Sequence, residues 1–221
     1  MRTFLGKQFS ELSLVVAGVL FSSFMFFHPA NTAQGALEPI WVPVHVIWFV
    51  SYLLIICGLV PLYAFTVAQG TLTTVGYWLS LIGTVLSLPI AVWDSFIVPY
   101  LAVHAPDFIS QIEEVSVETP VLVFRVIVFL TIFIFSLGFM VFGTELIRLR
   151  QLNQIAGICL ALGAPLFWIG ALFVSQGAIG NVVTEIGATL FGLGLILFGR
   201  HLLDHANASK SHTGLGSSDV N

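Results

Sequence analysis

Runs of apolar residues long enough to cross a bilayer recur six times along the chain, each cut from the next by a short polar or Pro/Gly-bearing stretch. A membrane-spanning helix needs about 20 such residues, since it rises about 1.5 Å per residue through about 30 Å of hydrocarbon. The runs are approximately Leu12 to Phe27, Val42 to Val67, Val75 to Val98, Pro120 to Thr144, Ile155 to Ser175 and Ile179 to Leu203. They predict an all-α fold, a polytopic membrane helix bundle of six transmembrane helices occupying residues 1–203. No room is left for a globular domain. From Asp204 to Asn221 the sequence turns to Ser, Gly, Asn and His without apolar periodicity, which predicts a disordered cytoplasmic tail.

The orientation follows from the lysines and arginines, which cytoplasmic loops retain. Arg2 and Lys7 precede the first predicted helix, Arg148 and Arg150 sit between the fourth and fifth, and Arg200 and Lys210 end or follow the sixth. With six helices these places share one side. The loops on the other side, Pro29 to Trp41 and Tyr100 to Thr119, have no Lys or Arg but carry Glu38, Asp107, Glu113, Glu114 and Glu118. Both termini are therefore expected in the cytoplasm. The rival reading of the first helix is a cleaved signal peptide, with a basic start at Arg2 and Lys7 and small residues at Ala33 and Ala36; the length of the apolar stretch and Glu11 at its start count against it.

Composition narrows the function classes. Of 221 residues, 57% are apolar and 8% charged, with net charge −4 and mean hydropathy +1.02, far from the roughly 25% charged content of soluble domains. No basic patch of the kind nucleic acid requires is present. Cys57 and Cys159 lie inside apolar runs and read as packing residues.

Helix association in lipid depends on close backbone approach through small residues. In the sixth predicted helix Gly180, Gly187 and Gly194 recur every seven residues, and Gly192 and Gly199 repeat that step on an adjacent stripe. Gly157, Gly163 and Gly170 in the fifth and Gly76 and Gly83 in the third complete a set of glycine seams. Such faces suit packing within the bundle, a substrate path, or docking of a membrane-protein partner or a second copy in a homo-oligomer. The glycines also hint at a repeat: Gly58, Gly76 and Gly83 are spaced like Gly138, Gly157 and Gly163, as in transporters built from duplicated units.

Ionisable residues inside the hydrocarbon are costly and mark functional sites. Asp94, Arg125 and Glu185 qualify, and all three fall roughly 6 to 9 Å below the outer boundary at about 1.5 Å per residue. Their common depth predicts a network in which Arg125 pairs with Asp94, Glu185 or both. Two carboxylates against one arginine would leave negative charge for a proton or cation in an outward-opening cavity. Asp94 is the favoured member, because Pro89 weakens the helix before it. His45 joins these three as a candidate ligand- or ion-binding residue.

Histidines gather at the same end: His28 in His28-Pro29, His45 in Trp41-Val42-Pro43-Val44-His45, and His104 after Pro99-Tyr100. With Asp94 they are candidate metal ligands, since imidazole and carboxylate suit zinc, iron or copper; haem ligation would need two of them facing each other in the bundle. Alternatively, they are ordinary neighbours of Trp41, Trp48 and Tyr100 in an interfacial aromatic belt. At the other end His201 and His205 share a helical face, but the glutamate of a zinc-protease helix is absent. Glu145, Arg148 and Arg150 read as a helix end with local ion pairing.

The segments His28-Pro29, Trp41-Val42-Pro43-Val44-His45, Trp93-Asp94-Ser95-Phe96, Pro99-Tyr100-Leu101 and Ala105-Pro106 resemble a group of uncharacterised prokaryotic six-helix integral membrane proteins of about this length. The resemblance covers most of the chain. It implies a bacterial or archaeal plasma membrane and assigns no residue a role.

Three function classes follow. A protein binding or moving a small molecule, ion or proton would use His45, Asp94, Arg125 and Glu185. A structural or assembly subunit would use its glycine faces. A metal- or haem-binding redox protein would use His28, His45, His104 and Asp94. No catalytic constellation marks the chain as an enzyme, and no cofactor is specified.

Overall fold

The computed structural model describes residues 2–113, 119–149, 154–173 and 178–214, and among them every regular element is helical. Helix α1 (Arg2–Ser23) ends in a 3-10 turn, Phe24–Phe27. Helix α2 (Trp41–Leu59) is followed by a 3-10 turn and short α3 (Tyr63–Gln69). Helix α4 (Thr71–Val92) passes through a π turn, Trp93–Ile97, into α5 (Val98–His104). A short amphipathic α6 (Pro106–Glu113) precedes the long helices α7 (Thr119–Leu149), α8 (Gln154–Phe173) and α9 (Ala178–Gly214). Six stretches are long and apolar enough to cross a membrane: Phe9–Phe27, Trp41–Leu62, Thr71–His104, Leu122–Leu149, Gln154–Leu172 and Asn181–Asp204. The chain is a multi-pass α-helical membrane protein. Its outward-facing apolar side chains, such as Val126, Leu130 and Phe133, are exposed to the lipid these spans require.

Each span packs on the next in sequence, and the last returns to the first: α1 on α2, α2 on α4, α4 on α7, α7 on α8, α8 on α9, and α9 on α1. The ring is filled with aromatic side chains. Phe21 meets Tyr52, Phe167 and Phe191 edge-on, while Phe135 meets Tyr52, Phe139 and Phe191. All six but Phe167 are fully buried. Offset and edge-to-face contacts of this kind add about 0.5–1.5 kcal/mol per pair beyond area burial, so this cluster forms a firm floor across the middle of the bundle.

Close approach between helices is achieved by the glycine stripes, and the two stripes of α9 serve two neighbours. A Cβ at Gly187 would run into the backbone of Phe167, and one at Gly194 would meet Leu160, both on α8; Gly192 and Gly199 press instead on Gly18, Ser22 and Glu11 of α1. Gly76 and Gly83 of α4 meet the backbones of Phe142 and Phe135 on α7 in the same way. These glycine faces pack against the chain's own helices, the first of the uses expected for them. Gly180 has no described side-chain surroundings.

Span 3 buries a face of small and hydroxylated residues, including Thr73, Ser80, Thr84, Ser87 and Ser95. In a bilayer such groups need internal partners, and three of them bond back to the carbonyl four residues earlier: Thr84 to Ser80, Ser87 to Gly83 and Ser95 to Ala91. Gly70, at φ 117°, separates α3 from α4 and takes a backbone conformation that an L side chain resists.

The last helix does not stop at Leu203 but continues to Gly214. The segment from Asp204 to Thr213 holds neither Pro nor Gly, so nothing local ends the helix before Gly214, a residue suited to terminate it. Residues 215–221 of the expected tail lie outside the described part.

Gly187→Ala should force α8 and α9 apart and cost on the order of 1–3 kcal/mol, read as a lowered Tm in detergent. Val182→Ala, on the lipid-exposed side of α9, should leave Tm nearly unchanged.

Candidate functional site

Pro99 sets the geometry of the site. In a continuous α-helix the carbonyl of Asp94 would accept from Val98, but in the π turn the Val98 N–H bonds to the Trp93 carbonyl instead. The next donor along a π ladder would be residue 99, a proline without an N–H. The Asp94 carbonyl is thereby released from the helix. The Trp41 indole fills the place, donating its Nε1–H to that oxygen at 2.6 Å. The bond pins the start of α2 to the widened turn of span 3, with Trp41 itself buried.

One turn into α2, His45 is buried, 2% exposed, and its Nδ1–H donates to the Trp41 carbonyl at 2.8 Å. His28 follows the 3-10 turn that ends α1, where Pro29 disfavours continuation of the helix. Its Nδ1–H donates to the Pro29 carbonyl at 2.6 Å. Carbonyl oxygens only accept, so each ring carries its hydrogen on Nδ1 and each neutral ring leaves a lone pair on Nε2. The two Nε2 atoms lie 3.1 Å apart. Burial holds His28 below its usual pKa, against the smaller opposing effect of its bond to Pro29, which favours the neutral ring at neutral pH. A ring that carried a hydrogen on Nε2 would donate to the other; with both hydrogens on Nδ1, two lone pairs are held this close and repel unless something positive stands beside them.

The pair opens into a cavity of about 740 Å³ whose wall includes His28, His45, Asp94, Trp48, Trp93 and Trp168. Its other sides come from Phe124 and Val128 at the start of α7, Phe167 and Leu172 near the end of α8, and Asn181 and Thr184 near the start of α9. Every span thus contributes the same end, and the aromatic floor closes the cavity from below. Buried indole N–H groups of Trp48 and Trp168 have no hydrogen-bond acceptor among the described residues by strict geometry, although the Tyr52 hydroxyl lies close to Trp48 and Ser87. The Asp94 carboxylate, half-buried in the wall, has no hydrogen bond or ion pair among the described residues.

Of the residues expected at the site, His28, His45 and Asp94 come together around the cavity. Arg125 and Glu185 do not join them. Phe124 and Val128 line the cavity and Arg125 does not, and no ion pair between Arg125 and Asp94 or Glu185 occurs among the described residues. Glu185 is not among the cavity-lining residues, although Asn181, four residues before it on the same helix face, is. The expected three-charge network is therefore absent among the described residues, because equal depth does not fix rotation about the helix axis. His104 is exposed and stacks on Tyr100, 4.4 Å between ring centroids, so it is not a third imidazole of the pair. No group of three His, Cys, Asp or Glu side chains close enough to hold a metal occurs among the described residues.

At the other end of the bundle, Glu145 is 3% exposed in its side chain and receives a 2.6 Å bond from Arg148 and a 3.3 Å bond from Thr73. This is the local pairing expected there; Arg150 and the His205 side chain lie outside the described residues.

Fold and site together define a polytopic helical membrane protein with a histidine- and carboxylate-bearing cavity at one end. No family model, curated protein or solved structure matches the chain.

Trp41→Phe keeps the ring and removes its N–H. It should leave the Asp94 carbonyl without a donor, cost about 2–3 kcal/mol of stability and speed amide exchange through residues 93–98, measured by hydrogen–deuterium exchange with mass spectrometry.

Proposed function

We propose that this protein binds a cation in the cavity from the outer side of a prokaryotic plasma membrane, as a receptor or as one state of a transporter. The carrying observation is the Asp94 carboxylate, which lines the cavity without a cationic side chain bonded to it among the described residues. A carboxylate and two imidazole lone pairs, walled by Trp48, Trp93 and Trp168, offer negative charge, nitrogen donors and aromatic faces to one ligand. All three attract cations, and aromatic faces do so by about 0.5–2 kcal/mol each. With Arg125 outside this wall, the Asp94 carboxylate is left to a bound cation. The aromatic floor of Phe21, Tyr52, Phe135 and Phe191 supports binding from one side rather than an open channel. The outward orientation rests on the distribution of Lys and Arg, and the prokaryotic membrane on the resemblance carried by the His28, Trp41–His45 and Trp93–Phe96 segments.

The test is thermal unfolding of detergent-purified protein with sodium, potassium, tetramethylammonium, zinc and acidified buffer in turn. A ligand at a hundred times its Kd adds about 2.7 kcal/mol, a Tm rise of several degrees. One of these should raise the Tm of the wild type and of Glu185→Gln but not of Asp94→Asn. A panel without any rise, or an Asp94→Asn protein that responds like the wild type, refutes the proposal.

A further inference from the structure

Two features of the histidine pair point beyond a generic cation. The first is the pair of backbone anchors. Metal-ligating histidines usually donate their second ring N–H to a carbonyl or carboxylate, which fixes tautomer and ring orientation. His28 and His45 both do so, to Pro29 and Trp41, leaving the two Nε2 atoms set against each other. The second is the mutual orientation of the rings. A straight N–H···N bond, favoured above about 150°, would align both lone pairs along the N···N axis and hold the ring centroids roughly 5.4 Å apart. The centroids are 4.7 Å apart and the rings are inclined at 67°. At least one lone pair therefore points well off that axis, a poor geometry for a shared proton. Two cis ligands to one metal behave differently, since their lone pairs converge beside the axis. With metal–nitrogen bonds of about 2.0–2.1 Å, the 3.1 Å separation subtends about 95–102° at the metal, between octahedral and tetrahedral values.

We propose that Nε2 of His28 and Nε2 of His45 are adjacent ligands of a first-row transition-metal dication of the zinc class, with its remaining coordination positions turned into the cavity. This deepens the cation-binding reading and rests on it. Imidazole nitrogen suits zinc, copper and nickel rather than the alkali or alkaline-earth ions, which prefer oxygen. Because the chain supplies two imidazoles and no third clustered His, Cys, Asp or Glu among the described residues, water or a cavity-bound ligand completes the shell. Such an open site suits an ion that must also leave. Asp94 lowers the potential of the cavity for an incoming dication without being one of the paired ligands.

The experiment uses the full chain in detergent, loaded with one equivalent of Cu²⁺ for electron paramagnetic resonance and, separately, labelled with ¹⁵N-histidine and titrated with Zn²⁺. Copper should show superhyperfine coupling to two imidazole nitrogens, lost in His28→Ala and in His45→Ala and kept in His104→Ala. In the wild type, Zn²⁺ should shift Nε2 of two of the six histidines while their Nδ1–H resonances persist. The nitrogen spectrum keeps the proposal testable if His45→Ala, a buried substitution, does not fold. Absence of zinc-shifted Nε2 signals, or copper coupling unchanged in His28→Ala, overturns the metal proposal. If Asp94-dependent stabilisation by tetramethylammonium, sodium, potassium or acid survives that result, the cavity still binds a cation; if no cation of any kind stabilises the protein, both readings fall.

Discussion

Inside a bilayer no water is present to take up a stray backbone carbonyl, and leaving one unsatisfied costs several kcal/mol. Pro99 creates such a carbonyl at Asp94, and the Trp41 indole satisfies it. Much at this end of the bundle depends on that bond. It holds the π turn against α2, and the carbonyl of the same Trp41 fixes the tautomer of His45. One tryptophan thereby joins the backbone irregularity of span 3 to the imidazole pair.

The surrounding ring explains how so irregular a site is tolerated. Glycine-mediated contacts draw α9 against both α1 and α8, and α4 against α7, close enough for backbone to touch side chain. Dispersion at that range, with no hydrophobic gain available in lipid, is the main source of helix association. The aromatic cluster at the centre of the ring then separates the histidine end from the Glu145 end. A firm lower half supports a cavity whose wall includes polar groups without partners of their own.

Much of this was legible in the sequence, for identifiable reasons. The spans follow from apolar runs set against bilayer thickness, and the two stripes of α9 follow from a seven-residue glycine period that brings every second turn to one face. His45 and Asp94 stood out because polar residues in apolar surroundings are costly. Arg125 and Glu185 share the depth of Asp94 without lining its cavity, because depth along a helix is set by residue number, whereas facing is set by rotation, which neighbours decide. His28 opposite His45 joins two separate helix ends and leaves no spacing signature. The π turn had a signal, Pro99 five residues after Asp94, but its consequence appears only once Val98 is seen to bond to Trp93.

Anomalous diffraction at the zinc absorption edge, from crystals of the protein grown with Zn²⁺, tests the central claim most directly. A peak about 2.1 Å from both His28 Nε2 and His45 Nε2, inside the cavity and beside the line joining them, is the predicted result. A density map with the two rings in place and no anomalous peak between them, or with zinc only at His104 or His201, would contradict it.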